Sequence, residues 1–95
     1  MNKYESMIVI SSQLPESDAA QENLKVTALI KELGGEILET DDWGKRALSY
    51  EIQKMKEGYY YFIQFDAEST APAEIENRVR IMENVIRYLC VKQEA

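Results

Sequence analysis

The chain contains no histidine and one cysteine among its 95 residues. Without histidine it cannot form a Ser–His–Asp triad or a histidine-ligated metal site. One cysteine excludes an intrachain disulfide, a cysteine-rich zinc site and an iron–sulfur cluster held by this chain alone. No apolar run approaches the roughly 18 residues of a membrane span, and a free thiol suits a reducing compartment. We therefore expect a cytoplasmic protein without a metal or other cofactor.

Proline and glycine are also scarce, with two and four residues, and they divide the chain into a few periodic segments. Hydrophobic periodicity predicts six elements in a single domain over residues 1–95. The predicted strands cover residues 3–11, 36–53, 59–66 and 85–91, and the predicted helices cover 16–33 and a segment that opens at 69–72. Turn residues at 41–44 make the second strand either one long bulged strand or two short strands. A tight turn is expected at 56–58.

The order β-α-β-β-α-β is typical of the ferredoxin-like α+β fold. This arrangement has a four-stranded antiparallel sheet with two helices on one face, so the other face stays open. Side chains alternate between the two faces of a strand. We expect Tyr59, Tyr61, Ile63 and Phe65 to face the helices. The open-face set is then Tyr60, Phe62 and Gln64 from the third strand, with Met7 and Val9 from the first.

Candidate catalytic residues are few. Asp41 and Asp42 lie in turn sequence, and Cys90 lies in an apolar strand with no recognisable base. Acylphosphatases share this element order, but their phosphate-binding loop after the first strand needs an arginine, and residues 11–15 contain none. A non-catalytic regulatory domain that binds a ligand or dimerises through its sheet edges remains an alternative. No enzyme is predicted.

The charge distribution is more informative than the net charge of −6. Residues 43–56 contain four cations and one acid, and residues 77–93 have the same balance, so each segment carries +3 while the remainder carries −12. A chain with this division can contact a phosphate backbone on one side while the other side repels it.

Two interpretations fit the aromatic residues of the open face. Tyr60 and Phe62 have the spacing of base-stacking positions, but the strand lacks the glycine-aromatic pattern of the RNA recognition motif. An apolar open face more often marks a contact with another protein. We therefore favour a protein partner for this face.

The run 44–52 reads Gly-Lys-Arg-Ala-Leu-Ser-Tyr-Glu-Ile and combines a glycine, a basic pair and the pattern Leu-Ser/Ala-Tyr-x-Ile. This run resembles the signature of the family of the sixth protein of the bacterial small ribosomal subunit. Segments 3–9, 58–65, 80–87 and 91–92 also fit. The resemblance extends over residues 3–92 without an evident insertion.

The resemblance implies a structural ribosomal protein that binds small-subunit ribosomal RNA together with the eighteenth small-subunit protein, its heterodimer partner. The resemblance implies RNA contacts at Lys3, Arg80, Arg87 and Lys92, with Tyr4 and Asn84 as neighbouring RNA-binding positions. Arg46 belongs to the family signature and is expected either to contact RNA or to serve local structure. Met82 and Ile86 stand where relatives often have arginine. Because fewer cations mean fewer phosphate contacts, we expect weak RNA binding by the chain alone and cooperative binding with the partner.

Overall fold

The structure is a computed structural model that describes residues 1–52 and 54–93. Gln53, where the second strand was predicted to end, lies outside the described residues, as do Glu94 and Ala95 at the end of the predicted domain. The elements follow the predicted order: β1 (Asn2–Ser11), α1 (Glu16–Glu32), β2 (Glu36–Ile52), β3 (Met55–Ala67), α2 (Ala71–Arg80) and β4 (Val85–Lys92). No helix in these ranges is long and apolar enough to span a membrane.

The four strands form one antiparallel sheet in the order β2-β3-β1-β4. The strands β1 and β3 lie in the centre and pair from Asn2 with Ala67 to Ser11 with Gly58. The strands β2 and β4 are the two edges. The ferredoxin-like α+β fold predicted from the element order is confirmed.

The main core lies between the sheet and the two helices. Ile8 and Ile10 of β1 and Ile63 and Phe65 of β3 are fully buried there against apolar side chains of both helices, such as Ile30 and Ile75. Tyr59 and Tyr61 belong to the same cluster. The alternation predicted for β3 is therefore confirmed, and Tyr60, Phe62 and Gln64 take the opposite side.

The segment 36–52 is one long strand interrupted by bulges, which decides between the two predicted alternatives. One bulge places Trp43 between Asp42, which pairs with Tyr61, and Gly44, which pairs with Tyr60. Gly44 has φ +71°, a conformation that favours glycine. Its backbone N–H donates to the Asp42 carboxylate at 2.8 Å, which closes the bulge with a local hydrogen bond.

The turn predicted at residues 56–58 is wrong, because these residues lie inside β3. The β2–β3 connection comes earlier, where Lys54 takes the left-handed conformation with φ +66°, and Ile52 pairs with Met55. Gly58 serves close packing instead of a turn. A Cβ on Gly58 would lie 2.5 Å from Val9 Cγ1, so glycine is required where the strand approaches its neighbour.

This close approach makes Gly58 a sensitive position. We expect Gly58→Ala to destabilise the protein by roughly 1–3 kcal/mol, because the added methyl group overpacks the contact with Val9. Gly44→Ala is the matched control, because nothing lies within 4 Å of its added Cβ. This variant should lose about 1 kcal/mol of stability through backbone strain alone, since alanine disfavours the positive φ at this position. Denaturant unfolding measures both losses. A Gly58→Ala variant as stable as the parent protein would contradict this packing.

A buried hydroxyl pair links β1 to β4. Ser6 Oγ and the Tyr88 hydroxyl lie 2.8 Å apart, and Ser6 is completely buried. Burial raises the pKa of Tyr88 far above its ordinary value, with a smaller contribution from Cys90, although the Ser6 hydrogen bond opposes the shift. Burial, followed by the charges of Asp42 and Glu16, also raises the pKa of Tyr61.

A phenol whose pKa is raised by folding stabilises the folded state while it is protonated. That contribution is complete below the unfolded pKa of about 10 and is lost as the pH rises through the folded value. We expect Tyr88→Phe to lose about 1 kcal/mol at neutral pH, where the Ser6 hydroxyl loses its partner. The variant's free energy of unfolding should then fall less steeply above pH about 10 than that of the parent. The free energy of unfolding is measured by denaturant unfolding at several pH values. If it fell equally steeply with pH in the variant and the parent, the contribution of Tyr88 to this pH dependence would be refuted.

Candidate functional site

The sheet face opposite the helices, here the open face, has no covering element among the helices and strands of the fold. Strand pairing brings its side chains into rows across the sheet. The open face consists of Glu39, Asp41 and Trp43 from β2, Tyr60, Phe62 and Gln64 from β3, Lys3, Glu5, Met7 and Val9 from β1, and Arg87, Leu89 and Val91 from β4.

Apolar side chains run along the middle of the open face. Asp41, Phe62, Met7 and Leu89 form one row, in which Leu89 is 48% exposed. The Trp43 ring lies over Phe62 with 4.7 Å between centroids, and it remains 49% exposed. Met7 and Phe62 are half-buried. The face is thus apolar in the centre without being sealed by the chain itself.

Val9 is the exception among the side chains predicted to meet a protein partner. It is fully buried although it lies outside the core between sheet and helices. Gly58 and the Ile86 side chain lie close by, and Ile86 occupies the irregularity where the β1–β4 register shifts. Because Val9 has no exposed surface, it offers a partner no contact, and its assignment as a partner-binding residue is corrected.

The two basic segments of the sequence meet at one end of the sheet, here the hairpin end. Arg46 pairs with Gly58, which in turn pairs with Ser11 at the end of β1. The Arg87 guanidinium lies 5.8 Å from the centre of the Tyr50 ring, so β4 contacts the β2–β3 hairpin. The hairpin end is therefore built jointly by segment 43–56 and by the part of segment 77–93 that includes Arg87.

Three of the predicted RNA-binding residues lie together at the hairpin end. Arg80 and Arg87 line one cavity of about 240 Å³ between α2 and β4. The backbone carbonyl of Asn84 accepts a hydrogen bond from the Ser11 N–H at 2.8 Å, which fixes the approach to β4. A guanidinium nitrogen of Arg80 lies 3.4 Å from a carboxylate oxygen of Glu76. This ion pair is exposed and therefore weak.

Arg46 is held in place at the edge of the same region. Its Nε donates to the Trp43 carbonyl at 3.0 Å, and its guanidinium lies 5.5 Å from the Trp43 ring centre. The terminal nitrogens keep donors available for a phosphate or carboxylate group. These two contacts with Trp43 give Arg46 a local structural role.

The remaining predicted RNA-binding residues lie at the opposite end of the sheet. Lys92 pairs with Tyr4, whereas Arg87 pairs with Val9. Tyr4 and Val9 are five residues apart on β1, so the two pairs are separated by about 17 Å along the strand. Lys3 and Lys92 are exposed and point to opposite faces by alternation. The Tyr4 ring is 6% exposed and stacks on Phe65 at 5.6 Å. Tyr4 is therefore a core residue, which corrects its assignment to the RNA side.

Sequence reasoning missed several members of the open face. Leu89 and Val91 could have been found, because alternation along β4 puts them on the same face as Arg87 and on the face opposite to Cys90. Trp43, Glu39 and Asp41 could not, because their side of the sheet depends on the bulges in β2, whose positions follow from the pairing register and not from residue type.

Within residues 1–52 and 54–93, no group of three or more Cys, Asp or Glu side chains could hold a metal ion. Cys90 is half-buried beside the main core.

Comparisons with known proteins agree on one family. The model of the family described as Ribosomal protein S6 matches residues 3–92. Proteins named small ribosomal subunit protein bS6 from Clostridium kluyveri and Fusobacterium nucleatum are 40% and 39% identical over 94 residues, which cover 99% of this chain and 99% and 100% of theirs. A crystal structure of 30S ribosomal protein S6 from Thermotoga maritima superposes with a TM-score of 0.92 at 31% identity, covering 97% of this chain and 87% of that one.

The two faces of β3 should respond differently to truncation. Phe65→Ala should cost about 3–5 kcal/mol because it empties a fully buried site. Phe62→Ala should cost only about 1 kcal/mol, since the half-buried Phe62 ring loses less burial. Urea unfolding of the two variants provides the comparison. Equal losses would show that the open face is part of the folding core and not a surface for another molecule.

Proposed function

This chain belongs to the ribosomal protein S6 family, and we propose that it is a non-enzymatic constituent of the bacterial small ribosomal subunit in the cytoplasm. It binds small-subunit ribosomal RNA cooperatively with the eighteenth small-subunit protein. The observation that carries the proposal is the separation of two surfaces: an apolar and acidic open face, and a basic hairpin end.

The open face supports the assignment of a protein partner. Its apolar centre, around Phe62, Met7 and Leu89, provides the buried core of an interface. Glu39 and Asp41 of β2 and Glu5 of β1 border this centre. These carboxylates repel RNA phosphates and attract a basic protein, so charge selects the partner for this face.

The hairpin end supports RNA binding. The guanidinium groups of Arg46, Arg80 and Arg87 suit the bidentate recognition of phosphate. Lys54 and Lys56 add two exposed cations near the tip of the hairpin. Lys3 and Lys92 lie beyond the reach of this group, so we assign them to a second, separate backbone contact.

Few phosphate contacts imply weak binding by the chain alone. A basic partner on the open face adds its own cations next to the hairpin end and lowers the repulsion that the acidic residues exert on RNA. Cooperative binding then needs no conformational change, because the two proteins form one composite surface.

Variants of the hairpin end test the RNA assignment. With the partner protein bound, Arg80→Ala and Arg87→Ala should each weaken binding to a small-subunit RNA fragment by roughly tenfold and reduce the salt slope by about one. Lys25→Ala on α1 removes the same charge from a position paired with Glu22 and should leave affinity nearly unchanged. Filter binding at several salt concentrations gives both quantities.

Two outcomes would contradict this function. One is that the chain alone binds the RNA as tightly as the chain with its partner. The other is that Arg80→Ala, Arg87→Ala and Lys25→Ala have the same effect, since net charge and not the hairpin end would then control binding.

A further inference from the structure

The β2 side of the open face contains a shaped pocket, here the acidic-aromatic pocket. It has a volume of about 260 Å³. Two aromatic rings, three carboxylates and one amide line it: Trp43, Phe62, Glu5, Glu39, Asp41 and Gln64. Carboxylates beside exposed aromatic faces are a combination that suits an organic cation more than a neutral apolar group.

Strand pairing fixes the positions of the pocket residues. Glu39, Gln64 and Glu5 lie in one row across β2, β3 and β1. Neighbouring strands are about 4.8 Å apart, so β2 and β1, which flank β3, are about 10 Å apart. The carboxylates of Glu39 and Glu5 therefore stand on either side of Gln64. Asp41 and Phe62 form the adjacent row. The lining therefore belongs to the rigid sheet and needs no loop rearrangement.

Hydrogen bonds orient two of the lining groups. Gln64 Nε2 donates to Glu5 Oε2 at 3.3 Å, and Trp43 Nε1 donates to Asp41 Oδ2 at 3.3 Å. Each contact occupies one carboxylate oxygen and leaves the other able to accept from a bound donor. The Trp43 ring is held against Phe62 by the same arrangement.

The carboxylates of the pocket have no cation of their own in the described part of the chain. The ion pairs there involve Lys25, Arg78 and Arg80, and none includes Glu5, Glu39 or Asp41. Arg46 lies over Trp43 but donates its Nε to the Trp43 carbonyl and does not line the pocket. No Lys or Arg of the described residues therefore lies within ion-pair distance of these three carboxylates.

We infer that the acidic-aromatic pocket receives an arginine side chain of the basic protein partner. A guanidinium group stacks its flat face on aromatic rings while its five N–H donors reach carboxylates at the edge, which a lysine ammonium cannot do in the same way. RNA is disfavoured because its phosphates would meet three carboxylates. This inference rests on the proposed partnership, since it identifies what that partner presents to the open face.

Trp43 is the single tryptophan of the chain, so its fluorescence reports directly on the pocket. The first probe is a short glycine-serine peptide with one central arginine, and its control carries citrulline, which has nearly the same shape without the charge. The arginine peptide should shift or quench the Trp43 emission, and the citrulline peptide should not. The arginine effect should disappear in the double variant Glu39→Gln, Asp41→Asn, in which the amide oxygen that replaces the Asp41 carboxylate can still accept from Trp43.

The second probe is the purified eighteenth small-subunit protein. The Glu39→Gln, Asp41→Asn variant should bind it about tenfold more weakly and with a smaller salt dependence. Glu68→Gln, Glu83→Gln is the matched control, because it removes two exposed charges outside the pocket and should change affinity less than about twofold. Thermal unfolding of both variants verifies that they fold.

The outcomes separate the two claims. If the unmodified chain does not bind the partner protein at all, the proposed partnership fails, and the peptide titration still decides the chemistry of the pocket. If the chain binds its partner but the pocket variant and the matched control bind equally well, the arginine inference is overturned. Equal responses to the arginine and citrulline peptides overturn it as well.

Discussion

The packing of both helices against one side of β1 and β3 constrains the rest of this structure. These two central strands alternate strictly, so each residue that seals the helix side forces its neighbours to the other side. Ile63 and Phe65 are fully buried, and Phe62 and Gln64 therefore face outward. The same constraint sends Met7 outward between Ser6 and Ile8. An open apolar face is thus a direct consequence of how the core is filled.

Much of this architecture can be predicted because it depends on local patterns. The alternation in β3 identifies both of its faces from residue types alone, and the apolar spacing of Val26 and Ile30 in α1 identifies the helix side. The turn between β2 and β3 escapes such reasoning. Gly58 has the appearance of a turn residue, yet its role is a close contact with Val9, and only the paired strand shows that contact.

The functional surfaces could be predicted in their chemistry but not in their geometry. Two basic segments are evident in the sequence, whereas their meeting through Tyr50 and Arg87 follows from the long hairpin. The family resemblance correctly identified the family, but it grouped residues that the sheet separates, such as Arg87 and Lys92. The acidic-aromatic pocket depends on the β2 bulge at Trp43, which no residue pattern locates.

Two parts of this small acidic chain have opposite electrostatic character. The open face is apolar and acidic and suits a basic protein, while the hairpin end is basic and suits phosphate. The open face belongs to the sheet, whereas the hairpin end combines strand residues with Arg80 at the end of α2. The net charge of −6 is therefore compatible with a contact to RNA that is made from one end and shared with a partner.

Chemical-shift mapping of the isotope-labelled chain during titration with the eighteenth small-subunit protein tests the central claim most directly. The account predicts that the largest shifts fall on open-face residues such as Met7, Phe62 and Leu89, and that α1 and α2 are nearly unaffected. Shifts concentrated on the helices, with an unperturbed open face, would contradict it.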